Sequence, residues 1–251
     1  MEEQENLWAY QKRLRFVRSV IEENFPARDR STIKILDVGC GNGSQLSIPL
    51  VRCGYLVTGI DLDESSIAHA RRLSEDTFSA RFLCVAVTEV TESFDVVIVS
   101  EVLEHVLNPA ELLKASALLV DEKGIVIVTT PNGYGEFEMD SWLFGALRMQ
   151  RVVDKLAANQ SQVMASTDND ESGHIQFFTR RRLYRIFREC ELTVWREGAA
   201  SLFAGPFAGH LLARSSRFIR WNAVVTDRLP MSLASGWYFA LRPDQPLGAT
   251  E

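Results

Sequence analysis

At 251 residues, 46% of them apolar, the chain can bury a large core and has a length that α/β folds often reach without dividing, so one domain is expected. A formal charge of −6 and an isoelectric point near 5.4 disfavour nucleic acid, whose phosphates call for a basic surface, and favour a small-molecule substrate. The four cysteines form no C-x-x-C pair, the acidic N-terminal region carries no secretory apolar stretch, and no apolar run reaches the roughly 20 residues of a spanning helix, a pattern that excludes a transmembrane protein and fits a reduced, cytoplasmic one of open oligomeric state.

Residues 7–25 place Leu7, Tyr10, Leu14, Val17 and Ile21 at helical spacing, with Lys12, Arg13 and Arg15 between them. This predicts an amphipathic helix laid against the domain and ended by Pro26. From Ile33 the pattern becomes short apolar runs, the first followed by Gly39 and the second by Asp61, alternating with helix-period segments. The runs are Ile33 to Val38, Tyr55 to Ile60, Arg81 to Ala86, Phe94 to Val99 and Ile125 to Thr130. Crossover helices are expected over Ser44 to Cys53, over Glu64 to Leu73 behind a capping Asp63, and from Pro109 after Asn108.

After Pro131 the regularity weakens. Phe137 to Leu147, with Trp142, Leu143 and Phe144, reads as a cap over a site; with Arg148, Arg151 and Lys155 behind it, the segment also has the makings of a peripheral membrane anchor. The polar stretch Ser161 to Gly173 reads as a lid loop. A basic helix over Thr179 to Cys190 and strands at Leu192 to Glu197 and Gly236 to Leu241 follow, with a disordered tail after Pro243. The whole is an α/β fold: a Rossmann-like, mostly parallel seven-stranded sheet with helices on both faces and a lid insertion after the fifth strand. Its parts are an N-terminal helix (1–30), a cofactor-binding core (31–132), the insertion (133–178), C-terminal helices and strands (179–243) and a tail (244–251).

The run Leu36-Asp37-Val38-Gly39-Cys40-Gly41-Asn42-Gly43 puts three glycines where the first strand turns into the first helix, so the backbone there can come close to a ligand. Asp61 ends the second strand, where a carboxylate can take both hydroxyls of a ribose. Together they specify a nucleoside. A dinucleotide fingerprint spaces its glycines G-x-G-x-x-G, whereas here they run G-x-G-x-G behind an Asp.

In this the chain resembles the class I S-adenosylmethionine-dependent methyltransferases, over about residues 30–190. The resemblance implies S-adenosylmethionine as cofactor, with Asp37 near the methionine amino group and Gly39, Cys40, Gly41 and Gly43 along its backbone. It further implies Asp61 on the ribose and Leu62 beside the adenine. The acidic residue that family often shows after the third strand is replaced here by Val85-Ala86-Val87, so Ala86 and Val87 would serve only through backbone or packing. Ser100, closing the fourth strand, is placed with the cofactor residues.

The fourth strand runs into Ser100-Glu101-Val102-Leu103-Glu104-His105-Val106, at the sheet edge where open α/β folds place ligands. A helical turn starting there would put Glu101, Glu104 and His105 on one face; the plainer alternative is a capped helix start with solvated charges. Gly173-His174-Ile175-Gln176-Phe177-Phe178-Thr179 delivers a second histidine ahead of a helix.

E-x-x-E-H followed by H-x-x-F-x-T resembles the metal-dependent 2′-O-methyltransferases of small RNAs, and the first cluster is similar to the O-methyltransferases of ubiquinone biosynthesis. The resemblance implies a divalent cation, magnesium or manganese, on Glu101, Glu104, His105 and His174, lowering the pKa of a hydroxyl. A metal-free alternative uses His105 or His174 as general base.

Thr130-Pro131-Asn132-Gly133-Tyr134-Gly135 resembles the substrate-bordering loop of small-molecule members, which makes Asn132 and Tyr134 substrate candidates. Arg180, Arg181, Arg182, Arg185 and Arg188, and later Arg214, Arg217 and Arg220, read as solvated faces or as binders of a substrate phosphate. The leading expectation is O-methylation of a sugar or phenolic hydroxyl. Methylation of an RNA terminal ribose and an inactive cofactor-binding subunit are the alternatives.

Overall fold

The computed structural model describes Asn6 and residues 9–133, 173–202 and 215–244. The expected cap over Phe137 to Leu147, the lid loop up to residue 172, and Leu7, Tyr134, Arg214 and the tail from residue 245 lie outside them.

Helix α1 (Tyr10–Asn24) leads into β1 (Lys34–Val38), α2 (Ser47–Arg52), β2 (Leu56–Asp61), α3 (Glu64–Leu73), β3 (Ala80–Cys84), β4 (Phe94–Ser100), α4 (Pro109–Ala117) and β5 (Val120–Pro131). After residues 134–172 come α5 (Arg180–Glu189), β6 (Leu192–Ala199), α6 (Ser216–Val225) and β7 (Gly236–Pro243). The seven strands form one sheet in the order β3-β2-β1-β4-β5-β7-β6. Pairing is parallel from β3 to β5, and β7 lies antiparallel to both β5 and β6.

Because a strand turns successive side chains to opposite faces, the unbroken apolar runs feed two cores at once. Leu36, Val97, Val99, Val126 and Val128 face α4 and α5, meeting Leu113, Leu183 and Phe187. Their neighbours Ile35, Val96, Ile98, Ile125 and Ile127 face the other way, onto Val17, Val20 and Ile21 of α1 and Leu50 of α2. Helices thus cover both faces, and the chain reverses its winding between β1 and β4, which opens a crevice at their carboxyl ends.

Several boundaries differ from expectation: β5 starts at Val120 rather than Ile125, pairing Val120 with Phe94 ahead of a register shift, and two others differ for plain physical reasons. Helix α2 starts at Ser47 rather than Ser44. Starting at Ser44 would bury Pro49 mid-helix, where its ring clashes with the preceding turn; starting at Ser47 leaves it in the first turn, where no N–H is needed. Strand β3 stops at Cys84, opposite Asp61, where its partner β2 ends. The N–H of Ala86 is then taken by the Glu89 carboxylate at 2.7 Å, which starts a 3-10 turn over Val87–Glu89. Elsewhere the caps are as expected: the Asp63 side chain accepts from the N–H groups of Ser65 and Ser66, and Pro109 occupies the first turn of α4. Among the described residues no helix is long and apolar enough to cross a membrane.

Candidate functional site

The glycine loop sits at the carboxyl end of β1. Gly41 has φ +53° and open space where a Cβ would point, so the requirement for glycine there is conformational and its open side is free to meet a ligand. Its N–H donates to Asp61 Oδ2 at 2.8 Å, and Asp63 N–H donates to Oδ1 at 2.9 Å. The Asp61 carboxylate is therefore held still at the mouth of the crevice. Beside it Leu62 is 76% exposed, an apolar surface left uncovered by the described residues.

Asp37 lies beneath the loop, fully buried, accepting from the Ser47 hydroxyl at 2.5 Å. Burial pushes its carboxyl up to about 6, against the opposing pull of Ser47 and Arg13. The Cys40 thiol is also pushed up by burial and by Asp37, which makes it an inert packing group rather than a nucleophile. Ala86 and Val87 stand beyond β3, the first with its N–H engaged by Glu89 and the second buried.

On the other side of the crevice, the turn after β4 departs from the expected helix. Glu101 N–H donates to Thr129 O at 2.9 Å, so the chain stays bound to β5 through Glu101. It then turns through a left-handed Glu101 (φ 56°) into a 3-10 turn, Leu103–His105. A helix cannot start while the sheet holds this residue, so the expected helical turn gives way to a 3-10 turn, yet Glu101, Glu104 and His105 still line one cleft. One oxygen of the Glu101 carboxylate, Oε1, accepts from the Thr129 hydroxyl at 2.7 Å and lies 3.4 Å from Arg13 Nη1.

Glu104, His105 and His174 do come together: one ligand atom from each lies within 4.8 Å of the others. The two imidazoles stand edge to face with centroids 5.1 Å apart. Glu104 is buried, its Oε1 has no hydrogen-bond partner among the described residues, and its Oε2 has a long 3.5 Å contact from the Thr130 hydroxyl. Burial first, and the nearby Glu101 second, hold this carboxyl well above its usual range. Such an acid, orphaned in one oxygen and facing two imidazoles, fits a divalent cation that would partner it. One carboxylate with two nitrogens suits manganese, cobalt or zinc better than magnesium.

These groups line a cleft of about 280 Å³ together with Tyr10, Arg13, Asn132 and Phe177. Asn132 is buried, and its side-chain amide donates to the carbonyls of Ser232 (3.1 Å) and Ala234 (2.9 Å), tying the segment before β7 into the cleft wall. Arg13 was not singled out by its sequence context, yet it is buried in the cleft, donating to Ser100 Oγ at 3.2 Å and Gln45 Oε1 at 2.6 Å and lying over the Tyr10 ring. The signal was present: position 13 falls on the stripe with Tyr10 and Val17, so a charge there points inward. Ser100 is engaged by Arg13 and by Thr129 Oγ1 at 2.8 Å.

A family model described as a methyltransferase domain matches residues 8–197 of the chain. Over 132 residues the chain is 35% identical to the mitochondrial ubiquinone biosynthesis O-methyltransferase of Arabidopsis thaliana, a match covering 48% of the chain and 40% of that protein. Over 125 residues it is 36% identical to the ubiquinone biosynthesis O-methyltransferase of Idiomarina loihiensis, covering 48% of the chain and 49% of that protein. The chain thus spans half or less of these curated relatives. Among solved structures, the magnesium protoporphyrin IX methyltransferase of Synechocystis PCC 6803 with bound SAH superposes with a TM-score of 0.56 at 16% identity, covering 91% of the chain and 82% of that one. The [4+2]-cyclase SpnF superposes with a TM-score of 0.58 at 17% identity, covering 99% and 89%. At such identities the likeness is one of fold.

Proposed function

The chain belongs to the methyltransferase domain family and has the class I fold, and from that premise we propose that it is an S-adenosylmethionine-dependent O-methyltransferase acting, with a divalent metal, on a hydroxyl of a small molecule. The observation that carries this reading is the convergence of Glu104, His105 and His174 on a cleft wall across the crevice from the glycine loop and Asp61.

S-adenosylmethionine supplies an electrophilic sulfonium methyl when bound. The chain's own residues support its binding: Asp61, fixed by two N–H groups, has the geometry to accept two vicinal hydroxyls, and Leu62 offers an exposed apolar side chain beside it. Asp37 gains from a neighbouring cation, since burial has raised its cost of ionising. A divalent ion on Glu104, His105 and His174 would act as a Lewis acid, lowering the pKa of a substrate hydroxyl. Glu101, whose Oε1 is held by Arg13 and Thr129 and which lies outside the tight cluster of the other three, is read as a neighbour to that site rather than a member of it. Phe177 and Pro131 close the cleft on the apolar side, which favours a planar phenol or the carbon face of a sugar over an extended polyanion.

Titrating manganese and magnesium into protein saturated with S-adenosylhomocysteine tests the metal. The native chain should bind one ion, and Glu104→Ala and His174→Ala should lose it. Methyl transfer from labelled cofactor to catechols, sugars and RNA 3′ ends then tests the acceptor. Transfer to RNA alone would overturn the small-molecule reading, and absence of ion binding would move attention to His105 and His174 as bases.

A further inference from the structure

We infer that Gln176 is a positioning residue for His174, its side-chain amide bolting the two halves of the candidate metal site together; the inference rests on the metal reading above. Glu104 and His105 come from the turn after β4, whereas His174 comes from an irregular segment that leads into α5 about 70 positions later in the chain. The second segment is exposed at His174, and its described residues, 173–179, form no helix or strand.

Its attachments converge on the first segment. The N–H groups of Ile175 and Gln176 both donate to the carbonyl of Glu104, at 3.0 and 3.2 Å, the same residue whose carboxylate faces the imidazoles. The Gln176 side chain goes further along the turn, with Nε2 donating to the carbonyls of Val106 and Leu107, the latter at 3.1 Å. Its Oε1 accepts from Arg182 in the first turn of α5. Arg182 also donates to the Phe177 carbonyl at 3.0 Å and lies over the ring of buried Phe178, 4.8 Å from its centroid. The segment carrying His174 is thereby held between the 3-10 turn on one side and α5 on the other.

The chemistry of this clamp asks for glutamine. Two carbonyls need donors and a guanidinium needs an acceptor, and one amide group meets both demands at once. A glutamate keeps the pairing with Arg182 but turns an acceptor toward two carbonyls; an alanine removes every side-chain attachment. Residues that orient metal ligands commonly set affinity by about 10- to 100-fold without touching the ion.

The test is manganese titration of the full chain saturated with S-adenosylhomocysteine, alongside amide hydrogen exchange, for the native protein, Gln176→Ala, Gln176→Glu and Arg182→Lys. Manganese affinity should fall by about tenfold or more in both Gln176 variants. Arg182→Lys should lose less. Affinity for S-adenosylhomocysteine, whose candidate site lies at the ends of β1 and β2, should be unchanged. Exchange at the Ile175 amide should speed up in the Gln176 variants. Equal manganese affinity in native, Gln176→Ala and Gln176→Glu protein overturns the inference and leaves the metal reading standing. If the native protein binds no manganese, the metal reading fails, and the Ile175 amide decides the rest: unchanged protection in both Gln176 variants overturns the positioning role.

Discussion

Arg13 Nη1 stands 3.4 Å from Glu101 Oε1, a buried cation from the first helix paired with a half-exposed carboxylate at the end of the fourth strand. The pair stitches α1 to the sheet across the cleft, and each member removes a cost from the other. Replacing Arg13 by Met leaves Glu101 facing Glu104 without compensation and should cost about 2 kcal/mol, less than a fully buried pair because Glu101 reaches solvent. In urea denaturation the double variant Arg13→Met/Glu101→Gln should recover part of that loss; strictly additive effects would show that the two charges do not interact. The same placement sets Glu101 apart from its neighbour in metal binding. Glu101→Gln, which keeps the acceptor for Thr129, should lower manganese affinity by less than the roughly tenfold that loss of an orienting partner costs, whereas Glu104→Gln should abolish it. Equal losses would restore the four-ligand set that the sequence suggests.

The glycine loop separates two costs that usually travel together. At Gly39 an added Cβ would lie 2.5 Å from Val102 Cγ2, so Gly39→Ala should unsettle both the loop and the turn carrying Glu104. At Gly41 the Cβ would enter open space, leaving only the left-handed penalty of about 1 kcal/mol. Gly41→Ala should therefore melt close to native while its affinity for S-adenosylhomocysteine drops by about tenfold or more. A variant that binds normally would show that no ligand approaches the backbone there.

How far the sequence reveals this architecture depends on whether a signal is local. The strands were legible because each is a short apolar run, three of them bounded by Gly, Asp or Pro, and the order of run and helix dictates parallel crossovers. The Asp37 to Gly43 and Asp61 marks are contiguous or register-matched, and they meet in space through the Gly41–Asp61 bond. What local pattern does not give is where Glu101 points. Its carboxylate is claimed by Thr129 and Arg13, residues 28 and 88 positions away, and its backbone by the β5 ladder, so its role is decided by tertiary contacts. Asn132 is similar: it lines the cleft as a substrate candidate would, but that its amide donors go to the segment before β7 is a tertiary contact no local pattern shows.

Asn132 therefore tests wall-building against substrate contact. Removing its amide strands the carbonyls of Ser232 and Ala234, so Asn132→Ala should cost about 1–3 kcal/mol of stability. Asn132→Asp should cost more, because a carboxylate oxygen would face a carbonyl oxygen. The effect on turnover should appear mainly in KM, through a loosened cleft wall, with kcat changed little. A fall in kcat with native stability would instead place this side chain on the reacting group.

Asp37 gives the site a pH dependence of definite sign. Its carboxyl titrates at about 6 in the fold against an ordinary 3.8, so the folded state favours the protonated acid. The contribution is most favourable below 3.8 and is lost as the pH rises through about 6, a difference of about 3 kcal/mol at most. Without cofactor, native protein should thus lose stability relative to Asp37→Asn as the pH is raised from 5 to 7. On the proposed pairing of Asp37 with its cationic amino group, binding of S-adenosylhomocysteine would draw the carboxyl the other way and need it ionised. Affinity should accordingly weaken by up to about tenfold per pH unit below about 6, with one proton taken up on release of the ligand. In Asp37→Asn the affinity should be lower at pH 7.5 and flat with pH. A native profile that is flat between pH 5 and 7 would mean that this carboxylate does not meet the amine, and that the buried acid serves the Ser47 contact alone.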